Sequence, residues 1–121
     1  RQTVLNSMKR SHAIVITSLR DLTSTVLIEA MSAGLPIMAP AHCGFADIVN
    51  QKNGYLLDVK SSKTMLSSLV MAITNMYNDE QNRLLLSSQA SLDAENYLWK
   101  NKVEKLCAIY NNIHEKNSKK N

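Results

Sequence analysis

The order of apolar and polar positions predicts alternating strands and helices in the first half of the chain. "HAIVI" (12–16) and "PIMA" (36–39) are short, continuous apolar runs, and Tyr55–Leu57 follows a turn at Asn53-Gly54. Apolar runs that are rich in β-branched residues and lack alternation are typical of strands covered on both faces in a parallel sheet. The helices predicted around these strands cover residues 3–10, 25–33 and 45–51. This pattern predicts a parallel α/β arrangement.

The second half of the chain is predicted to be helical. Apolar residues at intervals of three and four form a stripe that we expect to pack one helix face on the sheet. These residues are Met65, Leu66, Leu69, Val70, Ile73, Met76 and Tyr77. A weaker helix is predicted from Glu80 to about Leu92. The same spacing predicts a last helix, marked by Trp99, Val103, Leu106, Tyr110 and Ile113.

Composition and charge are those of a globular protein with a basic terminal segment. Apolar residues make up 45% and charged residues 20% of 121 residues, enough for one hydrophobic core. Positions 98–121 hold six lysines and two glutamates, and the remaining positions hold eight basic and eight acidic residues. We interpret the basic segment as a solvated tail in preference to a contact with an anionic membrane or a phosphorylated partner. Nucleic-acid binding is not expected, because the lysines are not interleaved with a stacking platform of aromatics.

The two cysteines, Cys43 and Cys107, lie far apart and fit no metal-ligand spacing. The sequence has no Asn-x-Ser/Thr sequon, no signal peptide and no apolar run of about 18 residues. We therefore expect a cytoplasmic protein. The chain opens on Arg1 in a segment that is already helical in pattern, and we expect it to be part of a longer protein.

Two carboxylates stand out in "SLRDLTSTVLIEAMSAGLPIMAP", residues 18–40. Glu29 interrupts an apolar helix, where an ionised carboxylate costs several kcal/mol unless it is paired or hydrogen-bonded. Asp21 follows the first predicted strand, at the edge where open α/β sheets bind ligands. Ser24 is the predicted N-cap of the helix, and a helix N-terminus attracts anions. An anion such as a diphosphate would fit at this helix N-terminus, with a carboxylate on either side to accept hydrogen bonds from sugar hydroxyls.

Each of these residues also has a simpler interpretation. Asp21 could merely cap the following helix, and Glu29 could be a surface residue. Arg20 is interpreted as a solvated loop residue. A metal site or nucleophilic pair at His42 and Cys43 is not favoured, because adjacent loop residues cannot form a closed site alone.

Residues 18–37 resemble the signature of retaining glycosyltransferases of the GT-B fold, family 4 in particular. In that family an acidic residue, seven intervening residues and a Glu are followed by Ala-Met/Leu and then Gly-x-Pro. This sequence differs from the family pattern at its start. Asp21 stands where the family usually has Glu, and Leu22-Thr23-Ser24 stands where it has Gly-Phe-Gly.

The resemblance continues along essentially the whole chain. "HCGFADIV" (42–49) is similar to the family's Gly-Gly-x-x-Glu-x-Val region, with Asp47 in place of Glu. "NGYLLD" (53–58) is similar to its Gly-x-Leu-Val turn and strand. "YLWKNKVEKLCAIYNN" (97–112) is similar to its closing helix.

The resemblance implies how the chain is organised. Residues 1–121 would be the C-terminal part of a nucleotide-sugar-binding GT-B domain, with a partial, parallel Rossmann-like sheet followed by C-terminal helices. Residues 95–117 would be the closing helix and 118–121 a basic tail. The N-terminal acceptor lobe would be absent.

The resemblance also implies the site residues. Asp21, Thr23 and Ser24 would bind the donor sugar, Ser24 and Thr25 the diphosphate, and Glu29 the ribose of the nucleotide. It assigns no catalytic residue and no metal ligand. Because Asp21 is one methylene shorter than the usual Glu, the preferred donor sugar depends on this position.

The implied activity is hexosyl transfer from a nucleoside-diphosphate sugar to a polysaccharide or lipid-linked acceptor, without a metal cofactor. We expect the protein to work in the cytoplasm, peripherally at the inner face of the membrane. The basic pair that neutralises the diphosphate lies upstream in the family, so the chain alone is expected to be inactive. Two alternatives remain open at this point: a non-catalytic nucleotide- or phosphate-binding module, and a helical interaction module. A receiver-like signalling domain is not favoured, because the cluster of acids at a strand end is missing.

Overall fold

The centre of the fold is a sheet of three parallel strands, flanked by helices. A computed structural model of the chain describes residues 2–20 and 25–118, and it describes side chains as far as Lys116. The elements in chain order are α1 (Gln2–Lys9), β1 (Ile14–Val15), α2 (Thr25–Ser32), β2 (Ile37–Pro40), α3 (Phe45–Ile48), β3 (Gly54–Leu57), α4 (Ser62–Asn78), α5 (Glu80–Glu95) and α6 (Trp99–Ser118). The predicted α/β class, with a parallel sheet and C-terminal helices, is confirmed.

The strands lie in the order β1-β2-β3. Ile14 pairs with Ile37 across the first ladder, and Ile37 pairs with Gly54 across the second. Parallel strands need a crossover, and α2 and α3 supply the two that connect this sheet. All three strands therefore end at the same edge, which we call the carboxyl edge.

Alternating residues of β2 build two separate core clusters. Ile37 and Ala39 contribute to a cluster with α2, α3 and α5, whereas Met38 contributes to a cluster with β3, α4 and α5. The first cluster is Leu27, Met31, Ile37, Ala39, Phe45, Val49, Ala90 and Ala94. The second is Met38, Leu57, Ala72, Met76 and Leu86. Because consecutive strand residues point to opposite faces, this fully buried strand carries apolar residues on both.

The observed boundaries differ from the predicted ones by a few residues. The first predicted strand, 12–16, is reduced to Ile14–Val15, which pairs with β2 on one side. The third predicted helix ends at Ile48, because Val49 adopts an extended conformation and Asn50 donates its backbone N–H to Asn53 Oδ1 at 2.8 Å. The side chain of Asn53 thus accepts the hydrogen bond that Asn50 N would donate to a backbone carbonyl if the helix continued.

The predicted packing of the α4 stripe on the sheet is only half correct. Met76 is buried in the second cluster, and Met65 and Leu69 pack against it. Leu66 and Tyr77 are 61% and 87% exposed. The spacing of three and four defined a stripe wider than the surface that the short sheet offers, so its outer row remains in solvent.

Asn53 is a buried polar residue whose side chain joins α3, α5 and the turn before β3. It is 0% exposed, and its Nδ2 donates to Ile48 O at 3.0 Å and to Asp93 Oδ2 at 2.8 Å. Its Oδ1 accepts from Asn50 N, so all the groups of this buried amide are satisfied. A satisfied buried amide fixes its neighbours, and its loss leaves their polar groups unpaired.

We expect Asn53→Ala to lower the free energy of unfolding by roughly 2–4 kcal/mol, since Asp93 and Ile48 then lose buried donors. Urea unfolding followed by circular dichroism measures this change. Asn75→Ala, at an exposed position of α4, is the matched control and should change stability by about 0.5 kcal/mol or less. Equal effects of the two variants would contradict the role of the buried network.

The phenol of Tyr97 is expected to make the free energy of unfolding depend on pH in the alkaline range. Burial, and then the nearby carboxylates of Asp93 and Asp47, raise the pKa of Tyr97 above its ordinary value of 10.0. Above that value the unfolded chain has lost the proton that the folded protein still holds. The unfolded state then binds fewer protons, and stability falls as pH rises toward the folded pKa.

We therefore expect the wild-type protein to lose stability relative to Tyr97→Phe once the pH exceeds about 10, with no such divergence near neutral pH. Urea midpoints measured at a series of pH values test this. Tyr77→Phe removes an exposed tyrosine and should follow the wild-type curve. Parallel curves for the wild type and Tyr97→Phe would show that Tyr97 titrates alike in both states.

Candidate functional site

The carboxyl edge of the sheet collects the segments that follow the three strands. Residues 17–20 follow β1, the loop from Ala41 to Gly44 follows β2, and Asp58 follows β3. Backbone hydrogen bonds hold these exits together: Ile16 N donates to Met38 O at 2.8 Å, and Ala41 N donates to Leu57 O at 2.9 Å. This is the edge at which open α/β sheets bind ligands.

Helix α2 begins beside this edge and carries two of the predicted site residues. Thr25 is its first residue and is exposed, and Glu29 lies one turn further along and is half-buried. Residues four apart share a helix face, so Thr25 and Glu29 stand on the same side of α2. Leu27 and Met31 lie on the opposite side and are fully buried. The carboxylate of Glu29 is therefore placed at the border of the core and not within it.

The position of α2 is fixed by its C-terminal end. Gly34 has φ = 74°, a left-handed conformation that ends the helix. Ser87 Oγ of α5 donates to Gly34 O at 2.5 Å, and Ala30 of α2 is fully buried. Rigid packing of α2 between the sheet and α5 holds the first turn of α2 at the carboxyl edge.

The remaining predicted site residues, Asp21, Thr23 and Ser24, lie outside the described residues. Arg20, the last described residue before them, is exposed. The structure thus brings Thr25 and Glu29 together on α2, and the assignments of Asp21, Thr23 and Ser24 stay predictions.

The loop after β2 brings together a pair that the sequence reasoning set aside. His42 Nδ1 lies 2.6 Å from Cys43 Sγ, and the His42 ring packs edge-on against Phe45, with centroids 6.4 Å apart. Cys43 has φ = 51°, uncommon for a residue other than glycine. The sequence offered no signal for this backbone conformation. Within residues 2–20 and 25–118, no group of three or more His, Cys, Asp or Glu side chains is placed to hold a metal ion.

An apolar recess of about 220 Å³ opens at the same edge, between the exit of β1 and the first turns of α4. Thr17, Ser62 and three apolar side chains of α4 line it. The N-terminus of α4 is closed by a capping box in which Ser61 and Thr64 exchange hydrogen bonds. The capping box therefore supplies hydrogen-bond partners at the start of α4 from within the chain. The start of α2, in contrast, adjoins the predicted donor loop.

The fold and this edge define a class of protein. A three-stranded parallel sheet flanked by helices resembles part of the α/β architecture of a GT-B glycosyltransferase domain. The profile of the family described as "Glycosyl transferases group 1" matches residues 1–93. The chain belongs to this family.

A solved structure shows the same fold within a larger protein. Sucrose-phosphate synthase from Thermosynechococcus elongatus superposes on 90% of this chain with a TM-score of 0.72 and 19% sequence identity. This chain spans 27% of the length of that one. Comparison with curated proteins gives no match. Among the helices of the described residues, none has both the length and the apolar character needed to cross a membrane.

Proposed function

We propose that the chain is the donor-binding part of a retaining glycosyltransferase of family 4. The observation that carries this proposal is the placement of Thr25 and Glu29 on one face of α2, at the carboxyl edge, in a chain that belongs to a glycosyltransferase family. The donor is a nucleoside-diphosphate sugar. Its transferred group is a hexose, and the acceptor is a polysaccharide or a lipid-linked glycan.

Each predicted residue has a role in this proposal. Glu29 accepts hydrogen bonds from the ribose hydroxyls, and Asp21 accepts them from the hexose. Thr23, Ser24 and Thr25 donate from backbone amides and hydroxyls to the diphosphate and the sugar. The positive end of the α2 dipole favours the same anion.

Transfer breaks the bond between the anomeric carbon and the diphosphate oxygen, and forms a bond from that carbon to an acceptor hydroxyl oxygen, whose proton is released. Negative charge develops on the leaving diphosphate. Donors preorganised at the start of α2 stabilise that charge without reorganising, which lowers the barrier. Closure of an acceptor lobe over the donor supplies orientation. The proposal involves no resident metal.

The chain by itself binds the donor weakly if at all, and does not transfer the sugar, in this proposal. The acceptor lobe and the basic pair that neutralises the diphosphate belong to other parts of such enzymes. The intact protein works in the cytoplasm at the inner face of the membrane, where lipid-linked acceptors are presented.

Calorimetric titration of the intact protein with UDP-, GDP- and ADP-sugars tests the proposal, run beside Glu29→Ala. Binding of one nucleotide, lost in Glu29→Ala and retained in Glu95→Ala, is the expected result, since Glu95 is an exposed carboxylate at the end of α5. Transfer of the hexose by the intact protein then distinguishes an enzyme from a non-catalytic nucleotide-binding module. A folded protein that binds none of the three would overturn the proposal in favour of an interaction module.

A further inference from the structure

The C-terminal end of α2 is joined to α5 by a side-chain hydrogen bond. Leu35 N donates to Ala30 O at 3.0 Å, which closes the end of the helix. Gly34 N donates to Met31 O at 2.9 Å, and the two bonds together form a Schellman motif. The carbonyl of Gly34 accepts from Ser87 Oγ of α5 at 2.5 Å. The end of α2 is thus attached to a residue 53 positions further along the chain.

The two helices approach each other closely at this joint. A Cβ atom on Gly34 would lie 3.2 Å from Ser91 Oγ and 3.3 Å from Ser87 Oγ. Ala30 of α2 and Ala90 of α5 are fully buried. Burial of apolar area has no preferred direction, so it holds α2 in place while restraining only weakly how the helix is rotated about its axis. A hydrogen bond needs a defined geometry and supplies that restraint.

The rotation of α2 about its axis decides where the Glu29 carboxylate stands. Glu29 is half-buried, whereas Leu27 and Met31, on the opposite side of the helix, are fully buried. A rotation of α2 would therefore move the carboxylate either into the core or out of the position from which it faces a ligand. The backbone dipoles run along the helix axis, so the same rotation leaves the N–H groups at the start of α2 pointing in the same direction.

We propose that Ser87 is a positioning residue for the donor site. Its hydrogen bond to Gly34 O sets the rotation of α2 and, through it, the place of the Glu29 carboxylate. This assignment rests on the proposed function, in which Glu29 binds the ribose of the donor. It adds α5 to the elements that determine donor affinity, although α5 carries none of the predicted site residues.

Ser87→Ala tests the assignment in the intact protein. Dissociation constants for UDP, GDP and ADP are measured by titration calorimetry, and the nucleotide that the wild type binds most tightly is used for the comparison. Ser87→Ala is expected to weaken its binding roughly 3- to 10-fold, the effect of one neutral hydrogen bond. Alanine favours the helix, so α5 is expected to be retained. Ser88→Ala, at an exposed position of α5, is the matched control and should stay within about twofold of the wild type.

A second background separates positioning from a general loosening of the fold. Ser87→Ala is combined with Glu29→Gln, and the double variant is compared with Glu29→Gln alone. If Ser87 acts through Glu29, the two effects are not additive, and these two proteins should bind the nucleotide within about twofold of each other. Circular dichroism and urea unfolding of every variant show whether the fold is retained.

Two results would overturn the assignment while leaving the donor site intact. One is a Ser87→Ala protein that binds the nucleotide as tightly as Ser88→Ala does. The other is a loss of affinity from Ser87→Ala that has the same size with and without the Glu29 carboxylate, which shows a structural role only. If Glu29→Gln leaves the affinity unchanged, or if the intact protein binds none of the three nucleotides, the proposed function fails and the assignment fails with it.

Discussion

Replacing Gly54 by alanine is expected to prevent stable folding of the chain. A Cβ atom at this position would clash with Ile37 O and would lie 2.9 Å from both Ile37 C and Ile37 N. These are backbone atoms of β2, the central strand, and they cannot move aside without separating β2 from β3. Ile37 and Gly54 form the first residue pair of the ladder between β2 and β3. We expect the loss to exceed about 4 kcal/mol, a magnitude reserved for changes that disrupt the core.

Gly34→Ala is the matched control for this prediction. Gly34 has φ = 74°, but its Cβ would meet the hydroxyl oxygens of Ser87 and Ser91 at 3.3 and 3.2 Å, which are side-chain atoms and not the backbone of a strand. The expected cost is about 1–2 kcal/mol, mainly from the left-handed conformation. Circular dichroism and urea unfolding of both variants distinguish the two cases. A Gly54→Ala protein with the stability of Gly34→Ala would show that the approach of β2 to β3 is not the constraint.

Glu29→Gln is expected to weaken donor binding by roughly 10- to 100-fold. The variant keeps the size of the side chain but replaces a carboxylate, which in the proposed site accepts from two ribose hydroxyls, by an amide with one acceptor oxygen. Hydrogen bonds to charged groups contribute about 1.5–3 kcal/mol, which corresponds to this range. Because Glu29 lies at the border of the core and is half-buried, we expect the fold to be retained. Titration calorimetry with the cognate nucleotide sugar measures the change.

Glu95→Gln serves as the control, since it removes the same charge from an exposed position on α5. It should leave the dissociation constant within about twofold of the wild type. If the two variants bind the donor equally well, Glu29 does not contact the nucleotide. If Glu29→Gln also unfolds the chain, its role is structural.

The strands and their connections could be predicted because continuous apolar runs favour strands with helices on both faces. "PIMA" fits this prediction, since β2 is fully buried, whereas in "HAIVI" Val15 of β1 is 43% exposed at the edge of the sheet. Asn53-Gly54 marked the turn before β3. The exact ends depended on side-chain hydrogen bonds, such as that from Asn50 N to Asn53 Oδ1, which have no periodic signature.

The apolar stripes of the helices could be predicted from the sequence. Which residues of each stripe pack against the rest of the protein could not. Met76 and Tyr77 belong to the same predicted stripe of α4, yet the structure buries the first and exposes the second. A spacing of three and four identifies an apolar face without stating what packs on it. The same holds for α6, whose stripe is regular and uncovered.

The candidate site was predicted from the chemistry of its residues more than from their geometry. A Glu in an apolar helix that follows a strand end pointed to a ligand, and the structure places Glu29 and Thr25 on one face of α2. The contact between His42 and Cys43 occurs in a loop where Cys43 has a positive φ, a conformation for which the sequence has no periodic signal. Sequence alone could not have supplied it.

The most direct test of the donor site combines a change in the protein with a change in the ligand. The affinity of the intact protein for its cognate nucleoside diphosphate is compared with that for the 2′,3′-dideoxy analogue, for the wild type and for Glu29→Gln. If Glu29 accepts hydrogen bonds from the ribose, removal of the hydroxyls should weaken the wild type roughly 10- to 100-fold and leave the variant nearly unchanged. Equal losses in both proteins would show that the ribose is bound elsewhere and would contradict the proposed site.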